Sequence, residues 1–397
     1  MKILILTDYY PPDKIGGVGE IAKNLRIAYE AAGHEVWVLT TGANADDPRV
    51  IRSSASLNKG IFINNIEALK LIRKHGIEVV NMHQSTTSLF LLAKHIPFLW
   101  KKKFPRIINS FQVSYFSEFH NIRAIEVDGR RFTPTRKEYV EKWIYAPVHI
   151  LLDWIGYVFA DVITVVSSEN KKEFERTYGR LSRKPIHVIP NGVDISNFAP
   201  GKPHLDRAFL GKLKGKTVLL YVGVFRVRKR VFNLLFALRR VVQQNSNVVL
   251  VLVGGGRAYE DDILALIKQL GLDKNVIFVG SVPNEKVIEY MNAADVFCTL
   301  SSYEGMPVAI LEAMASGKAI LTSRVSGMVD LVSDGKDGYL TEVDDIDEIS
   351  KKLMSMVASP DKTAKMGERA RAKIERTYTW TKVAAQYAKV FKVKSNA

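Results

Sequence analysis

Ser302-Tyr303-Glu304-Gly305-Met306-Pro307-Val308-Ala309-Ile310-Leu311-Glu312-Ala313-Met314-Ala315-Ser316-Gly317 follows directly on an apolar run, Val296 to Leu300. The apolar run reads as a buried strand, and the longer stretch as a loop that opens into a helix. Pro307 suits the first helical position, where its missing N–H would have no partner anyway. Gly317 suits the helix end. Glu304 then lies in the loop and Glu312 within the helix. The first-turn N–H groups lack partners inside the helix and face whatever docks at the strand end. Gly305, with no side chain, lets a ligand approach the backbone closely. Two carboxylates beside a ring of N–H donors suit a ligand rich in hydroxyls and phosphates.

Outward from this stretch, strand-like and helix-like runs alternate, which predicts a parallel α/β architecture. The first half offers strands at Lys2–Tyr9, Glu35–Thr41, Val79–His83, Arg106–Gln112, Asp161–Ser167 and Ile186–Pro190. Helices are expected from near Val18, Asn64, Ser85, Pro134 and Glu169. The second half restarts the rhythm, with strands at Val218–Val222, Val248–Gly254, Val276–Val279, Val296–Leu300, Ala319–Thr322 and Gly338–Thr341. A polar stretch rich in Pro, Gly and Lys, Pro200 to Lys216, predicts a hinge near residue 195. A chain of 397 residues, 47% hydrophobic and 25% charged, suits a soluble protein of two domains.

The net charge of +16 favours anionic partners such as nucleotide phosphates, acidic membrane surfaces or nucleic acid. The one cysteine, Cys298, has no second thiol to pair with and sits in an apolar run. It predicts a cytosolic chain and a small buried side chain. Met1-Lys2-Ile3-Leu4-Ile5-Leu6 reads as a strand rather than a leader. No run reaches the roughly 18 apolar residues of a membrane span. Asp344-Asp345-Ile346-Asp347 stands at a helix start, where capping accounts for it better than metal binding. No metal site is expected.

Two more loops follow strands. Tyr9-Tyr10-Pro11-Pro12-Asp13-Lys14-Ile15-Gly16-Gly17-Val18-Gly19 turns backbone N–H groups toward a phosphate at a helix start. It does not match Gly-x-Gly-x-x-Gly, and the second strand ends Val38-Leu39-Thr40-Thr41 without an acid to hold a ribose. NAD binding is therefore not expected. Tyr221-Val222-Gly223-Val224-Phe225-Arg226-Val227-Arg228-Lys229-Arg230 places four cations in five residues, which suits a diphosphate or a solvated basic loop.

The Glu304 to Glu312 spacing resembles the Glu-x7-Glu motif of retaining glycosyltransferases of family 4 (glycosyl transferases group 1). The glycine loop, Ala32-Gly33-His34-Glu35-Val36, Ile189-Pro190-Asn191-Gly192-Val193-Asp194 and Val279-Gly280-Ser281-Val282-Pro283 resemble further segments of that family in the same order. The resemblance implies a GT-B fold, two Rossmann-like parallel-sheet domains facing across a cleft. Residues 1–194 would form the acceptor-side domain, completed by a C-terminal helix over 380–394 that crosses back at Trp380. Residues 195–379 would bind the nucleotide sugar.

By the same resemblance Glu304 contacts hydroxyls of the donor sugar and Glu312 the ribose. Gly16 and Gly17 face the donor's phosphate and sugar. Lys229 neutralises the leaving diphosphate, with Arg226 supplying from two residues later the guanidinium missing at Val224, Gly254 shapes the pocket, Val279 meets the base, and Gly305, Met306 and Pro307 complete the donor site. Glu304, Gln112, Arg226 and Lys229 are the implied catalytic set. The donor would be a UDP- or GDP-sugar, with no cofactor required.

The chain departs from the family at several places. Val224 stands where an arginine is usual, Arg230 replaces a glycine, and Asp330 in Ser326-Gly327-Met328-Val329-Asp330 replaces a glutamate of Gly-Gly-x-x-Glu. Gln112 aligns with a histidine near the reacting carbon. Glutamine hydrogen-bonds but has no useful pKa. His83 ends the preceding strand and is a second candidate for that place.

Aromatics and cations interleave between Pro97 and Phe159: Trp100-Lys101-Lys102-Lys103-Phe104-Pro105-Arg106, then Tyr115, Phe116, Phe119, Arg123, Arg130, Arg131, Arg136, Lys137, Lys142 and Trp143. This mixture suits an anionic membrane surface and a glycan or lipid-linked acceptor, or a charged outer face of a helical subdomain. It predicts a cytoplasmic protein with peripheral contact to the cell membrane. Other readings stay open: a non-catalytic sugar-nucleotide-binding subunit, a sugar-nucleotide epimerase of the same architecture, or a nucleic-acid-binding protein. The carboxylates of Glu304 and Glu312 oppose the last, because they repel phosphates.

Overall fold

The structure is a computed structural model and describes residues 1–12, 17–42, 47–53, 57–83, 88–95, 104–179 and 184–392. The chain divides into two units. The first comprises Met1–Glu118, Trp143–Gly192 and Trp380–Ala397, and the second Phe119–Lys142 and Val193–Thr379.

In chain order the elements begin β1 (Lys2–Thr7), α1 (Gly17–Ala31), β2 (Glu35–Thr41), β3 (Val50–Ser53), α2 (Leu57–His75) and β4 (Val79–His83). A 3₁₀ turn (Leu89–His95), β5 (Arg106–Phe111) and α3 (Tyr115–Asn121) follow. Next come β6 (Ile125–Val127), β7 (Arg130–Phe132), α4 (Arg136–Val140), a π turn (Glu141–Tyr145) and α5 (Ala146–Phe159). The strands β8 (Val162–Val165) and β9 (Ile186–Val188) flank α6 (Ser168–Tyr178). The first unit holds a parallel seven-stranded sheet in the order β3-β2-β1-β4-β5-β8-β9. Its strands are near-continuous buried runs, as helices on both faces require. The order reverses between β1 and β4, and connections leaving that point in opposite directions open a crevice at the carboxyl ends of the strands.

The second unit continues with α7 (Arg207–Leu213), β10 (Thr217–Val222), a 3₁₀ turn (Val227–Lys229), α8 (Val231–Gln244), β11 (Val248–Val253), α9 (Arg257–Gln269), β12 (Val276–Gly280) and α10 (Asn284–Ala293). It ends with β13 (Val296–Thr299), α11 (Val308–Ala315), β14 (Ala319–Ser323), α12 (Met328–Leu331), β15 (Gly338–Thr341), α13 (Ile346–Val357) and α14 (Pro360–Thr377). Its six-stranded sheet runs β12-β11-β10-β13-β14-β15, with the reversal between β10 and β13. Leu219, Leu250, Leu252, Cys298 and Leu321 of the sheet pack with Phe232 and Leu235 of α8 and Ile263 and Leu266 of α9. Asp345 caps α13, its carboxylate accepting from the Glu348 N–H at 2.8 Å. Part of the stretch read as a linker forms α7, capped by Asp206 on the Phe209 N–H at 2.7 Å.

The last helix, α15 (Trp380–Lys392), packs on the first unit. Its Tyr387 and Phe391 rings lie edge-on to Tyr29 of α1, with centroids 6.1 and 5.4 Å away. The Tyr387 hydroxyl donates to Ser110 Oγ at 3.1 Å. Ser110 donates to Asn81 at 2.8 Å, Asn81 to the Tyr29 hydroxyl at 2.9 Å, and Thr164 to Ser110 at 2.9 Å. These buried polar groups satisfy one another, so the helix is held by directional bonds as well as by apolar area. The Trp380 ring lies so close to Gly192 that a Cβ there would meet it at 2.7 Å.

Residues 119–142 differ from the sequence expectation, which assigned everything up to 194 to the first domain. They fold with the second unit. The physical reason is apolar. Ile125 and Val127 of the β6–β7 hairpin enter the core of the second unit, and Phe132 stacks on Phe232 with centroids 3.9 Å apart. Thr135 and Glu138 form a capping box that starts α4. The Tyr259 hydroxyl of α9 donates to Glu138 and also accepts from the Thr135 N–H at 3.2 Å. This strap is therefore part of the second unit's fold. Phe132→Ala should lower stability by about 1–3 kcal/mol, less than for a fully buried phenylalanine because the ring is half-buried. Urea denaturation measures this. An unchanged midpoint would show that the hairpin contributes nothing to the second unit's core.

Candidate functional site: a charge-paired loop junction at the strand ends of the second unit

The loops after β10 and β13 leave the carboxyl ends of neighbouring strands, at the point where the strand order reverses. They are tied together. The Ser302 N–H donates to the Arg228 carbonyl at 2.8 Å. Arg228 Nη1 donates to the Tyr303 carbonyl at 3.2 Å and to Glu304 Oε1 at 3.3 Å. Lys229 Nζ pairs with the same carboxylate oxygen. Burial pushes the Glu304 carboxyl up, but the Lys229 ammonium and the Arg228 guanidinium reverse this and hold it below its ordinary value. Burial acts on Lys229 most strongly and leaves its ammonium below the usual lysine value despite the pull of Glu304.

Arg226 is placed differently. It sits at the N-cap of the 3₁₀ turn in extended conformation, φ −142° and ψ 155°, and its Nη1 donates to Glu141 of the strap at 2.9 Å. Val227 drops into the core and leaves Arg228 and Lys229 to face Glu304. Arg228 is thus a member of the cluster that reading the sequence did not select. The signal was the lone apolar Val227 inside the basic run, which fixes the face of the turn.

Two positions where the family resemblance expects glycine have left-handed backbone without it. Arg230, where the family resemblance expects glycine, has φ 54°. Ser326, the first residue of the Gly-Gly-x-x-Glu counterpart, has φ 40°. Each adopts a left-handed shape without glycine, at a cost of about 1–2 kcal/mol per position. Arg230 offsets its cost by burying its guanidinium in a fork on Asp344, with Nε to Oδ1 at 2.7 Å and Nη2 to Oδ2 at 3.2 Å, while Nη1 donates to the Val227 carbonyl at 2.8 Å. Gly327 is needed for space: a Cβ there would collide with the Gly305 carbonyl.

The remaining expected site residues fall as follows. Pro307 is the N-cap of α11 rather than its first helical residue, with φ −69° and ψ 122°, and its carbonyl accepts from the Ile310 N–H at 3.1 Å. The shift is one residue, and a helix start of this kind leaves its first N–H groups without partners inside the helix. Gly317, at φ 71°, ends the helix, with the Lys318 N–H on the Ala313 carbonyl at 3.0 Å. Met306 is buried, and Glu312 is half-buried in the middle of α11. Gly254 follows β11 with φ 117°, and a Cβ there would run into the Gly223 carbonyl. Val279 lies in β12, half-buried.

In the first unit Gly17 opens α1, while Gly16 lies outside the described residues. Gln112, just past β5, is buried, and its Oε1 accepts from Asn191 Nδ2 at 2.9 Å. Its Nε2 has no hydrogen-bond partner among the described residues. His83 ends β4 in register with Ser110. Burial alone pushes its imidazole down to about 3, so it is neutral at physiological pH. Among the described residues no group of three or more acidic, histidine or cysteine side chains is arranged to hold a metal.

The family Glycosyltransferase Family 4 matches residues 15–197, and the family Glycosyl transferases group 1 matches residues 204–373. The two matches follow one another along most of the chain, and the chain belongs to the group 1, family 4 glycosyltransferases with the GT-B fold. It is 25% identical over 425 residues to the alpha-maltose-1-phosphate synthase of Mycolicibacterium smegmatis, covering 99% of both chains. It is 27% identical over 299 residues to the UDP-Gal:alpha-D-GlcNAc-diphosphoundecaprenol alpha-1,3-galactosyltransferase of Escherichia coli, covering 73% of this chain and 68% of the relative. In fold it is similar to a sucrose-phosphate synthase from Thermosynechococcus elongatus, with a TM-score of 0.78, 20% identity and 98% of both chains covered.

Two stability measurements probe the site. Asp344→Ala should cost about 3 kcal/mol, because it strands the buried Arg230 charge. Asp344→Asn should cost less, since asparagine tolerates the left-handed φ of 69° at that position and keeps an acceptor oxygen. Equal losses for the two variants would mean that charge is not what holds Arg230. For Glu304 the depressed carboxyl gives stability that is present above the unfolded value, about 4.3, and lost as pH falls through the lower folded value. Glu304→Gln should therefore be less stable than the native protein at pH 7, and the gap should close on acidification below about pH 4. A gap that stays constant with pH in denaturant titrations would contradict the charge pairing.

Proposed function

We propose that this glycosyltransferase moves a hexose from a UDP-sugar to a hydroxyl of a lipid-linked glycan, with retention of anomeric configuration. The observation that carries the reading is the buried Glu304 carboxylate held by Lys229 and Arg228 at the strand ends, in front of the first turn of α11. A carboxylate there accepts hydrogen bonds from sugar hydroxyls, and the two cations are within the same loop pair as the helix N–H donors. Lys229, Arg228 and Arg226 supply the positive charge that a departing diphosphate needs, the kind of fixed electrostatic contribution that dominates many transfer reactions. Glu312 accepts from the ribose hydroxyls. Gln112 presents an unsatisfied amide in the first unit and orients a hydroxyl without exchanging a proton. The leaving diphosphate accepts the acceptor's proton.

The name of the Escherichia coli relative supports both the UDP donor and the lipid-linked acceptor. The π turn and the start of α5 support a membrane-borne acceptor independently. Trp143, Ile144, Tyr145, Val148 and Leu151 are all exposed, with Trp143 at 63%. Such an apolar face with aromatic rings suits the headgroup level of a bilayer. No helix among the described residues is long and apolar enough to cross a membrane. A peripheral, cytoplasmic-face association fits these features.

Glu312→Ala should weaken UDP binding by about 1–3 kcal/mol, the worth of a charged hydrogen bond. Glu304→Ala should abolish most transfer while leaving UDP affinity equal or tighter, because Lys229 and Arg228 lose the carboxylate that neutralises them. Calorimetry with UDP and GDP, together with labelled sugar transfer from a panel of nucleotide sugars to membrane lipid extract, measures both. If the native protein binds UDP but never exceeds the Glu304→Ala blank across the panel, the chain is a binding subunit rather than an enzyme.

A further inference from the structure

The strap over Phe119–Lys142 has its own hold on the phosphate-binding loop. α4 and the π turn present Glu138 and Glu141 one helical step apart, and each reaches a different partner in the second unit. Glu138 accepts from the Tyr259 hydroxyl, and Glu141 Oε2 accepts from Arg226 Nη1 at 2.9 Å. Both members of the second pair are about one-third exposed, 31% for Arg226 and 29% for Glu141. A π turn inside a helical run, here Glu141–Tyr145, often marks a functional position. Glu141 uses only one of the guanidinium's nitrogens, which leaves the rest of the fork directed elsewhere. Arg226 lies three residues before Lys229, and its charge acts on the Lys229 ammonium, so the two cations share one electrostatic environment.

We propose that Glu141 is a positioning residue for donor binding. It holds the Arg226 side chain at the phosphate loop before the nucleotide arrives, so that the free face of the guanidinium meets the diphosphate beside Lys229. A free arginine side chain would have to be ordered on binding, and a pre-held one has already lost that freedom. The carboxylate charge also opposes the approach of a diphosphate, so the two influences have opposite sign and substitutions separate them. The strap is thereby a working part of the donor site as well as a structural one. The inference rests on the phosphate-loop reading of Arg226 given under the proposed function.

The test is calorimetric titration of UDP into the native protein and four variants: Glu141→Ala, Glu141→Gln, Arg226→Ala and the double variant Glu141→Ala/Arg226→Ala. Glutamine keeps an acceptor oxygen for Arg226 and removes the charge. Positioning predicts a three- to tenfold loss of UDP affinity in Glu141→Ala and native or tighter affinity in Glu141→Gln. It also predicts no further loss when Glu141→Ala is added to Arg226→Ala. Thermal unfolding of each variant, within a few degrees of native, separates this from damage to the strap; for a variant that falls outside that window the Glu141→Gln rescue decides. Tighter binding in both Glu141 variants would overturn the proposal in favour of competition between Glu141 and the diphosphate. Unchanged binding in Glu141→Ala, with a loss in Arg226→Ala, would overturn it and leave the loop reading intact. Unchanged binding in Arg226→Ala would remove Arg226 from the site altogether.

Discussion

A buried carboxylate in contact with a half-buried ammonium joins the loop after β10 to the loop after β13. Each charge alone would be expensive to take out of water, and together they make each other tolerable. Everything else at this end of the sheet accommodates that junction. Gly223, Gly254 and Gly280 follow or end three adjacent strands, all with positive φ, so the backbones lie close enough for the Gly254 N–H to reach the Gly280 carbonyl at 2.8 Å. The Arg230–Asp344 fork fixes the start of α8 just beyond the paired lysine. Gly327 lets the turn before α12 touch the Gly305 backbone. The floor of the site is thus built from close backbone approach, and its chemistry from a few charges held in place by one another.

Much of this was readable in the chain. The strands announced themselves as short runs of Val, Ile and Leu, because parallel strands are buried on both faces. β2, β4 and β15 have the bounds that the sequence suggests. The Glu304 to Gly317 stretch carried its loop, helix and stop signals in adjacent residues, so it could be interpreted locally. What was not readable depended on distant partners. β3 and the β6–β7 hairpin are only three or four residues long and carry too little pattern to stand out. That Ile125, Val127 and Phe132 belong to the second unit's core follows from Phe232, about a hundred residues later in the chain, and no local rule contains that information. Arg226 and Arg228 look alike in the sequence. Only the extended backbone at residue 226 and the burial of Val227 decide which of them joins Lys229 on Glu304.

The departures from the family pattern are more orderly than they look as letters. Arg230 and Ser326 take up backbone conformations that glycine would adopt without strain. The loops take that shape without the residue that makes it cheap. Arg230 also buries its guanidinium in a fork on Asp344 that glycine cannot make. Gln112, where the resemblance expects a histidine, differs in chemistry rather than shape, since an amide only donates and accepts.

The routing of the chain bears on how such proteins can be recombined. The second unit is assembled from two separated stretches, Phe119–Lys142 and Val193–Thr379, and the first from three. A chimaera that exchanges second units between relatives by one crossover near residue 193 would bring the wrong strap to the new unit. Its hairpin would then meet an unmatched α8 surface, and its carboxylates an unmatched α9 and Arg226 loop. The strap and the rest of the second unit therefore have to be exchanged together, although Trp143–Gly192 of the first unit separates them in the chain.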